Sequence, residues 1–214
     1  MFQKSLVIPK SKLTTVTENA TIQEVYDIFN APENAHTRTM PILDESGKLF
    51  RGNIYKQHVF EHIAKGENMN LPATAIMRNS TKFIYTTSKF YEVFFAIRDL
   101  PFIAVLDENH QFYGIFTHDA LMDLLSQSWS VRSGSVAIAV QTHNTQGDLS
   151  KISKIITRYS NIESLLTLKS DFKPLTVLFT LPLSVDSDQL HKLITHLEKK
   201  RYQVSSIENL NQFK

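Results

Sequence analysis

The chain has 214 residues and no cysteine, so neither a disulfide framework nor a thiolate metal site is available, and the composition suits a reducing compartment. With 42% hydrophobic and 21% charged residues it has the make-up of an ordinary globular protein, and a net charge of +2 supplies no global field for nucleic acid. Residues 1–12 lack the apolar stretch of a signal peptide, and the longest apolar runs fall far short of the roughly 20 residues of a membrane helix, so a cytoplasmic protein without membrane or nucleic-acid partners is expected.

In chain order, residues 13–16 form an extended β-prone segment. A helix pattern begins at Thr21-Ile22-Gln23-Glu24-Val25-Tyr26, and a short apolar strand follows at Met40-Pro41-Ile42-Leu43. Next come an acidic turn, a second short strand ending Gly52-Asn53-Ile54-Tyr55, and another helix. A polar stretch rich in turn formers, residues 66–72, reads as a linker.

The same order then returns. Residues 83–85 are extended, Lys89-Phe90-Tyr91-Glu92-Val93-Phe94 opens a helix, and Ile103-Ala104-Val105-Leu106 is the apolar strand. The acidic turn is Asp107-Glu108-Asn109, and the closing strand runs into Gly114-Ile115-Phe116-Thr117 before the next helix. A β-α-β-β-α unit is therefore present twice, as repeat architectures require.

After a second linker at residues 126–133 the pattern changes. Residues 135–140 read as a buried strand, and residues 144–149 as a turn into a helix with apolar positions at Leu149, Ile152, Ile155, Ile156 and Tyr159. Two strands around 162–168 and 175–181 precede a helix that places Leu190, Leu193, Ile194 and Leu197 on one face, and a last strand lies near 202–207. That β-α-β-β-α-β order is ferredoxin-like. The predicted class is α+β.

One string looks catalytic. His58-Val59-Phe60-Glu61-His62 matches H-x-x-E-H, which on a helix sets two imidazoles at i and i+4 beside a carboxylate, as in one class of zinc proteases. The corresponding helix of the second copy has no histidine pair, and no third-ligand glutamate stands out, so a structural role is the preferred reading. Glycine-rich phosphate loops and a nucleophile elbow are missing, with only six glycines in the chain. What remains is Thr117-His118-Asp119, where a strand ends at a hydroxyl and a helix starts. As plain structure this is an N-cap; as a site, the helix N-terminus would hold phosphate while Thr117 and Asp119 bond ribose hydroxyls.

With Met40-Pro41-Ile42-Leu43-Asp44, its counterpart Ile103-Ala104-Val105-Leu106-Asp107, and Gly114-Ile115-Phe116-Thr117 in place, residues 1–128 resemble a pair of cystathionine-β-synthase-type (CBS) domains, at residues 1–65 and 73–128. Residues 134–210 resemble an ACT domain, with Asn144-x-x-Gly147-x-Leu149 at that family's strand-to-helix turn. The order is similar to acetoin-utilisation-type regulators and to CBS proteins that bind cyclic di-AMP. The resemblance implies a homodimeric sensor without catalytic or metal residues, taking an adenine nucleotide in the cleft of the CBS pair: cyclic di-AMP first, then AMP, ADP or ATP.

It implies a ligand set of Lys12, Leu13, Arg38, Thr39, Met40 and Tyr55 from the first copy. From the second it implies Lys82, Phe83, Phe102, Ile103, Thr117, His118 and Asp119. The pattern departs from the family where Ala120 takes the aspartate position of the ribose clamp, with Asp119 one residue early, and where Tyr55 and His58 replace the first copy's threonine and aspartate. The site is therefore expected to centre on Thr117. The alternative is an interaction module whose clefts take no ligand.

Overall fold

The computed structural model describes residues 4–130, 134–170 and 173–210. The chain divides into two compact units, Met1–Leu121 and Met122–Lys214. The expected linker at 126–133 is downstream of that division, and its residues 131–133 fall outside the described residues.

The first unit contains β1 (Ile8–Pro9), β2 (Val16–Thr17), α1 (Ile22–Asn30), β3 (Thr39–Leu43), β4 (Phe50–Tyr55) and α2 (Lys56–Ala64). The second copy follows as β5 (Phe83–Tyr85), α3 (Phe90–Ile97), β6 (Phe102–Leu106), β7 (Phe112–Thr117) and α4 (His118–Ser128), which runs past the division at Leu121. In each copy the first strand runs parallel to the second and the third closes antiparallel, giving β2-β3-β4 and β5-β6-β7. Even the irregularity repeats. Register shifts between Ile42 and Leu43 and again between Val105 and Leu106, leaving Arg51 and Tyr113 as equivalent bulged residues.

Local chemistry explains the element boundaries. Thr21 and Glu24 form a reciprocal capping box that starts α1, while Ile22, Val25 and Phe29 bury its inner face. The acidic turns are shaped by their first residue. Asp44 accepts the amides of Lys48 and Leu49, both at 2.7 Å, and Asp107 accepts those of Asn109 at 2.9 Å and Gln111 at 2.8 Å. Gly47 and His110 occupy the left-handed position of these turns, at φ 68° and 60°.

The copies are locked by exchange of their leading segments. β1 pairs antiparallel with β7 of the second copy, Pro9 opposite Gly114. The chain leading into the second copy returns the pairing, Arg78 and Asn53 exchanging two 2.8 Å backbone hydrogen bonds beside Gly52. β1 is too short to announce itself by alternation, and its partner lies more than a hundred residues away, so the sequence reading leaves it out. The glycine shared by both repeats now has a physical reason. A Cβ on Gly114 would stand 2.1 Å from the Ile8 carbonyl oxygen, and one on Gly52 would stand 3.0 Å from that of Arg78. Between the sheets, Leu43, Ala104, Leu106, Phe112 and Ile115 form a shared cluster with Leu13, Phe50, Phe83, Tyr85 and Phe102 packed against it.

The second unit contains β8 (Gly134–Gln141), α5 (Asp148–Ile156), β9 (Ser164–Ser170), β10 (Lys173–Pro182), α6 (Ser187–Lys199) and β11 (Val204–Asn209). All pairings are antiparallel in the order β11-β8-β10-β9, which is the ferredoxin-like arrangement. Its core joins Ile138, Val140, Ile152, Ile156, Val177, Phe179, Leu193 and Leu197. Leu149, expected on the apolar face of α5, is instead 41% exposed, because it lies in the helix's first turn, ahead of Ile152 where contact with the sheet begins.

Gly114→Ala is expected to destabilise the protein by about 1–3 kcal/mol or more through steric overlap, seen as a lower denaturant midpoint. A loss below about 0.5 kcal/mol would show that β1 is not held this way. A second outcome concerns acid. The Asp44 carboxyl is lowered to about 2 by the Ser46 hydroxyl and then by the Leu49 and Lys48 amides. The stability it contributes is complete above its ordinary value of 3.8 and is lost as pH falls through about 2. Asp44→Asn should therefore flatten the loss of stability between about pH 4 and pH 2 in acid unfolding.

Candidate functional site

A cleft of about 970 Å³ opens in the first unit, a volume suited to a nucleotide-sized ligand. Five stretches of chain build it. Lys12, Leu13 and Thr14 lead towards β2. The connection from α1 to β3 contributes Asn34, His36, Thr37, Arg38 and Thr39. The β4–α2 junction adds Tyr55, Lys56, Gln57 and Phe60, and the second copy supplies Pro101, Phe102 and Ile115.

The connection is pinned by Asn34, only 8% exposed, whose Oδ1 accepts the Thr14 hydroxyl at 2.9 Å while Nδ2 donates to the Ile28 carbonyl at 3.0 Å. The Lys56 amide donates to the Arg38 carbonyl at 2.9 Å and so fixes the backbone beneath Arg38. The Lys56 ammonium itself is engaged. It donates to the Phe29 carbonyl at 2.7 Å and lies 6.0 Å from the ring centroids of Phe29 and Phe60. By contrast, Lys12 and Arg38 are exposed and have no ion-pair partner among the described residues. Glu33 is the carboxylate in the lining. The cleft thus offers two uncommitted cations, hydroxyls and aromatic walls.

Of the residues singled out in the sequence, the structure gathers Lys12, Leu13, Arg38, Thr39, Tyr55 and Phe102 in this cleft. Met40 and Ile103 are sealed in the sheets, 0% and 1% exposed. Lys82, Phe83, Thr117, His118 and Asp119 lie outside its lining. The Thr117 hydroxyl accepts the Ala120 amide at 3.1 Å and caps α4, the structural reading of that motif. The amide of His118 donates to the Pro101 carbonyl at 2.9 Å.

Strand register explains the asymmetry. Val16 faces Ile42 as Ile84 faces Val105, which makes Thr14 and not Lys12 the counterpart of Lys82, and pairs Thr15 with Phe83 and Thr39 with Phe102. Two threonines of the first copy thus correspond to two phenylalanines of the second, both packed against the cluster between the sheets. Bulk occupies one side and leaves room on the other.

Tyr55 stands where the second copy has Thr117. Burial pushes its phenol above the ordinary value against the hydrogen bond from Asn79 Nδ2, whose donor lies 2.6 Å from the hydroxyl. Lys56, Gln57 and Phe60 escaped the sequence reading, although the repeat carried the signal: Lys56 and Gln57 follow Tyr55 as His118 and Asp119 follow Thr117.

Residues 5–65 match the CBS domain family. A solved structure of CbpB in complex with c-di-AMP shares 15% identity and a TM-score of 0.51, covering 59% of this chain and 85% of that one. A CBS domain-containing protein of unknown function from Bacillus anthracis shares 21%, with a TM-score of 0.51 and coverage of 59% and 94%. A hypothetical conserved protein from Geobacillus kaustophilus shares 18%, with a TM-score of 0.52 and coverage of 59% and 97%. No curated protein matches the chain. At such identities the likeness is one of fold. Among the described residues no helix is long and apolar enough to cross a membrane.

The H-x-x-E-H string lies on α2 and serves its packing. His62 is 4% exposed; its Nε2 lies 3.0 Å from the Asn68 carbonyl oxygen and its Nδ1 2.5 Å from a Glu67 carboxylate oxygen, so the ring ties the helix to the chain after it. His58 instead sets its ring edge-on to Tyr55, centroids 5.4 Å apart. No group of three potential metal-ligating side chains occurs among the described residues. His62→Ala should lower stability by about 1–3 kcal/mol through the polar groups it orphans. Added zinc should leave the wild-type melting temperature unchanged, and a zinc-dependent rise in thermal denaturation would restore the metal reading.

Proposed function

We propose that the chain is a regulatory sensor, not an enzyme, that binds an adenine nucleotide in the cleft beside Tyr55, with cyclic di-AMP the leading ligand and AMP, ADP or ATP next. The observation that carries this reading is the pairing, at one cleft, of two uncommitted cations with aromatic and apolar walls. Lys12 and Arg38 suit phosphate, Arg38 by a bidentate fork. Phe102 and Tyr55 offer faces for a purine, and Thr37 and Thr39 offer hydroxyls for ribose. The CbpB structure with c-di-AMP is consistent with this ligand class. Such chemistry recognises a ligand without transforming it. Because the cleft is lined by both copies, a ligand that prefers one arrangement of them shifts the population of the unit as a whole.

The ferredoxin-like unit is read as an ACT-like domain, and a homodimer completes the proposal. Leu165, Leu168 and Ile207, 41%, 45% and 50% exposed, lie on the outer strands β9 and β11 and supply apolar surface for self-association. The same surface supports the second reading, an interaction module that takes no ligand.

Titration with cyclic di-AMP, AMP, ATP and S-adenosylmethionine tests the proposal. Saturable binding tighter than about 1 mM is expected. Absence of any such binding leaves the interaction module. Arg38→Ala should weaken binding about tenfold or more, the scale of one charge-assisted contact. Thr117→Ala should leave affinity unchanged and instead cost about 1 kcal/mol of stability through the lost cap. The reverse pattern would move the site to the second copy.

A further inference from the structure

A second cleft, about 630 Å³, lies within the ferredoxin-like unit between α5 and α6. Its rim is basic from both sides. Lys151 and Lys154 lie at i and i+3 on α5, and Arg158 follows in the turn just beyond its C-cap. On α6 and its C-cap, His196 and Lys200 stand one turn apart. Lys151, Lys154, Arg158 and Lys200 are exposed, and none has an ion-pair partner among the described residues. Lys192, further along α6, behaves differently: Asp188 neutralises it at 2.6 Å. Like charges set one turn apart on a helix repel, and a concave setting concentrates that field.

Asp148 is the only carboxylate in the lining, and it is not available to answer these cations. It is 5% exposed, and its oxygens are engaged by the His143 amide at 2.9 Å, the Thr145 amide at 3.2 Å, the Thr145 hydroxyl at 2.9 Å and the Tyr202 hydroxyl at 3.2 Å. Its role is to hold the turn before α5 against Tyr202, just ahead of β11. Among the described residues the cations above it have no counter-charge.

The geometry points to a binding site for a short phosphate chain, as carried by inorganic polyphosphate or by the tail of a nucleoside triphosphate. Cations on two facing helices can grip successive phosphates, whereas one phosphate would reach only one rim. The absence of an open stacking surface among the described residues of the lining argues against single-stranded nucleic acid, which binds by stacking bases on exposed aromatics. Tyr202, the aromatic of this cleft, is 6% exposed and packed against the His143 ring at 4.9 Å. This site is independent of the cleft beside Tyr55.

The test is calorimetric titration of the full chain with inorganic tripolyphosphate, which has no base for the first unit's cleft to read. Saturable binding tighter than about 1 mM at low salt is expected, weakening as salt rises. The double variant Lys154→Glu with Arg158→Glu should lose at least about tenfold in affinity, while Arg38→Ala should retain it. ATP titrated into the Arg38→Ala background, with and without the double variant, separates the two sources of phosphate: of the binding that the double variant removes, an affinity equal to that of tripolyphosphate means the phosphate chain alone is read, and a tighter one means a nucleotide tail. The proposal fails if tripolyphosphate does not bind, if the double variant binds as well as the wild type, or if Arg38→Ala abolishes binding. It also fails if a single-stranded RNA oligomer binds more tightly than tripolyphosphate and loses that binding in the double variant. A melting curve of the double variant matching the wild type confirms that any loss is local to the cleft.

Discussion

The first unit depends on a mutual strand exchange made possible by two glycines. Each copy of the β-α-β-β-α repeat contributes its leading segment to the other's sheet, β1 over Gly114 and Arg78 over Asn53 beside Gly52. At Gly114 backbone approaches backbone too closely for any side chain, and at Gly52 a Cβ would be a tight fit, so the pairing and the glycine define each other. The two sheets are thereby brought face to face, and the cluster of Phe50, Phe83, Phe102 and Phe112 fills the space between them. Phe50 and Phe112, equivalent residues of the two copies, stack at 5.8 Å. The cleft is the part of that interface the cluster leaves open.

Asymmetry within a duplicated frame is then a matter of volume and of which polar groups are already engaged. Thr15 and Thr39 on one side correspond to Phe83 and Phe102 on the other. Thr117, Lys56 and His62 all look like functional residues in isolation. In the fold each satisfies a backbone group or an acidic neighbour. Buried polar groups need partners, and a side chain that supplies one is committed before any ligand arrives. Lys12 and Arg38 are notable because the fold asks nothing of their charges. Lys154 and Arg158 are their parallel in the second unit.

Much of the fold was legible in the chain because its cues are local. The capping box at Thr21 and Glu24, the Asx-type turns at Asp44 and Asp107, and the helical spacing of Ile152, Ile155 and Ile156 all act over a few residues. The ferredoxin-like order could be written down from them. Of the candidate site, Lys12, Leu13, Arg38, Thr39, Tyr55 and Phe102 were nominated from sequence and do meet in one cleft. Thr14, His36 and Thr37 were not, because their part in it depends on how a loop is clamped by Asn34 and not on any motif; Lys56 and Phe60, on α2, were passed over although the repeat sets Lys56 against His118.

By itself the sequence determined the duplication, the element order and the two fold types, since periodicity, capping and turn chemistry act within a few residues of chain. Tertiary structure alone decided three things: that β1 belongs to the other copy's sheet, which side of the paired sheets stays open, and which cations remain unpaired. Each depends on contacts between residues far apart in the chain. Strand register, residual volume and competition for hydrogen-bond partners come into being only when the sheets have closed.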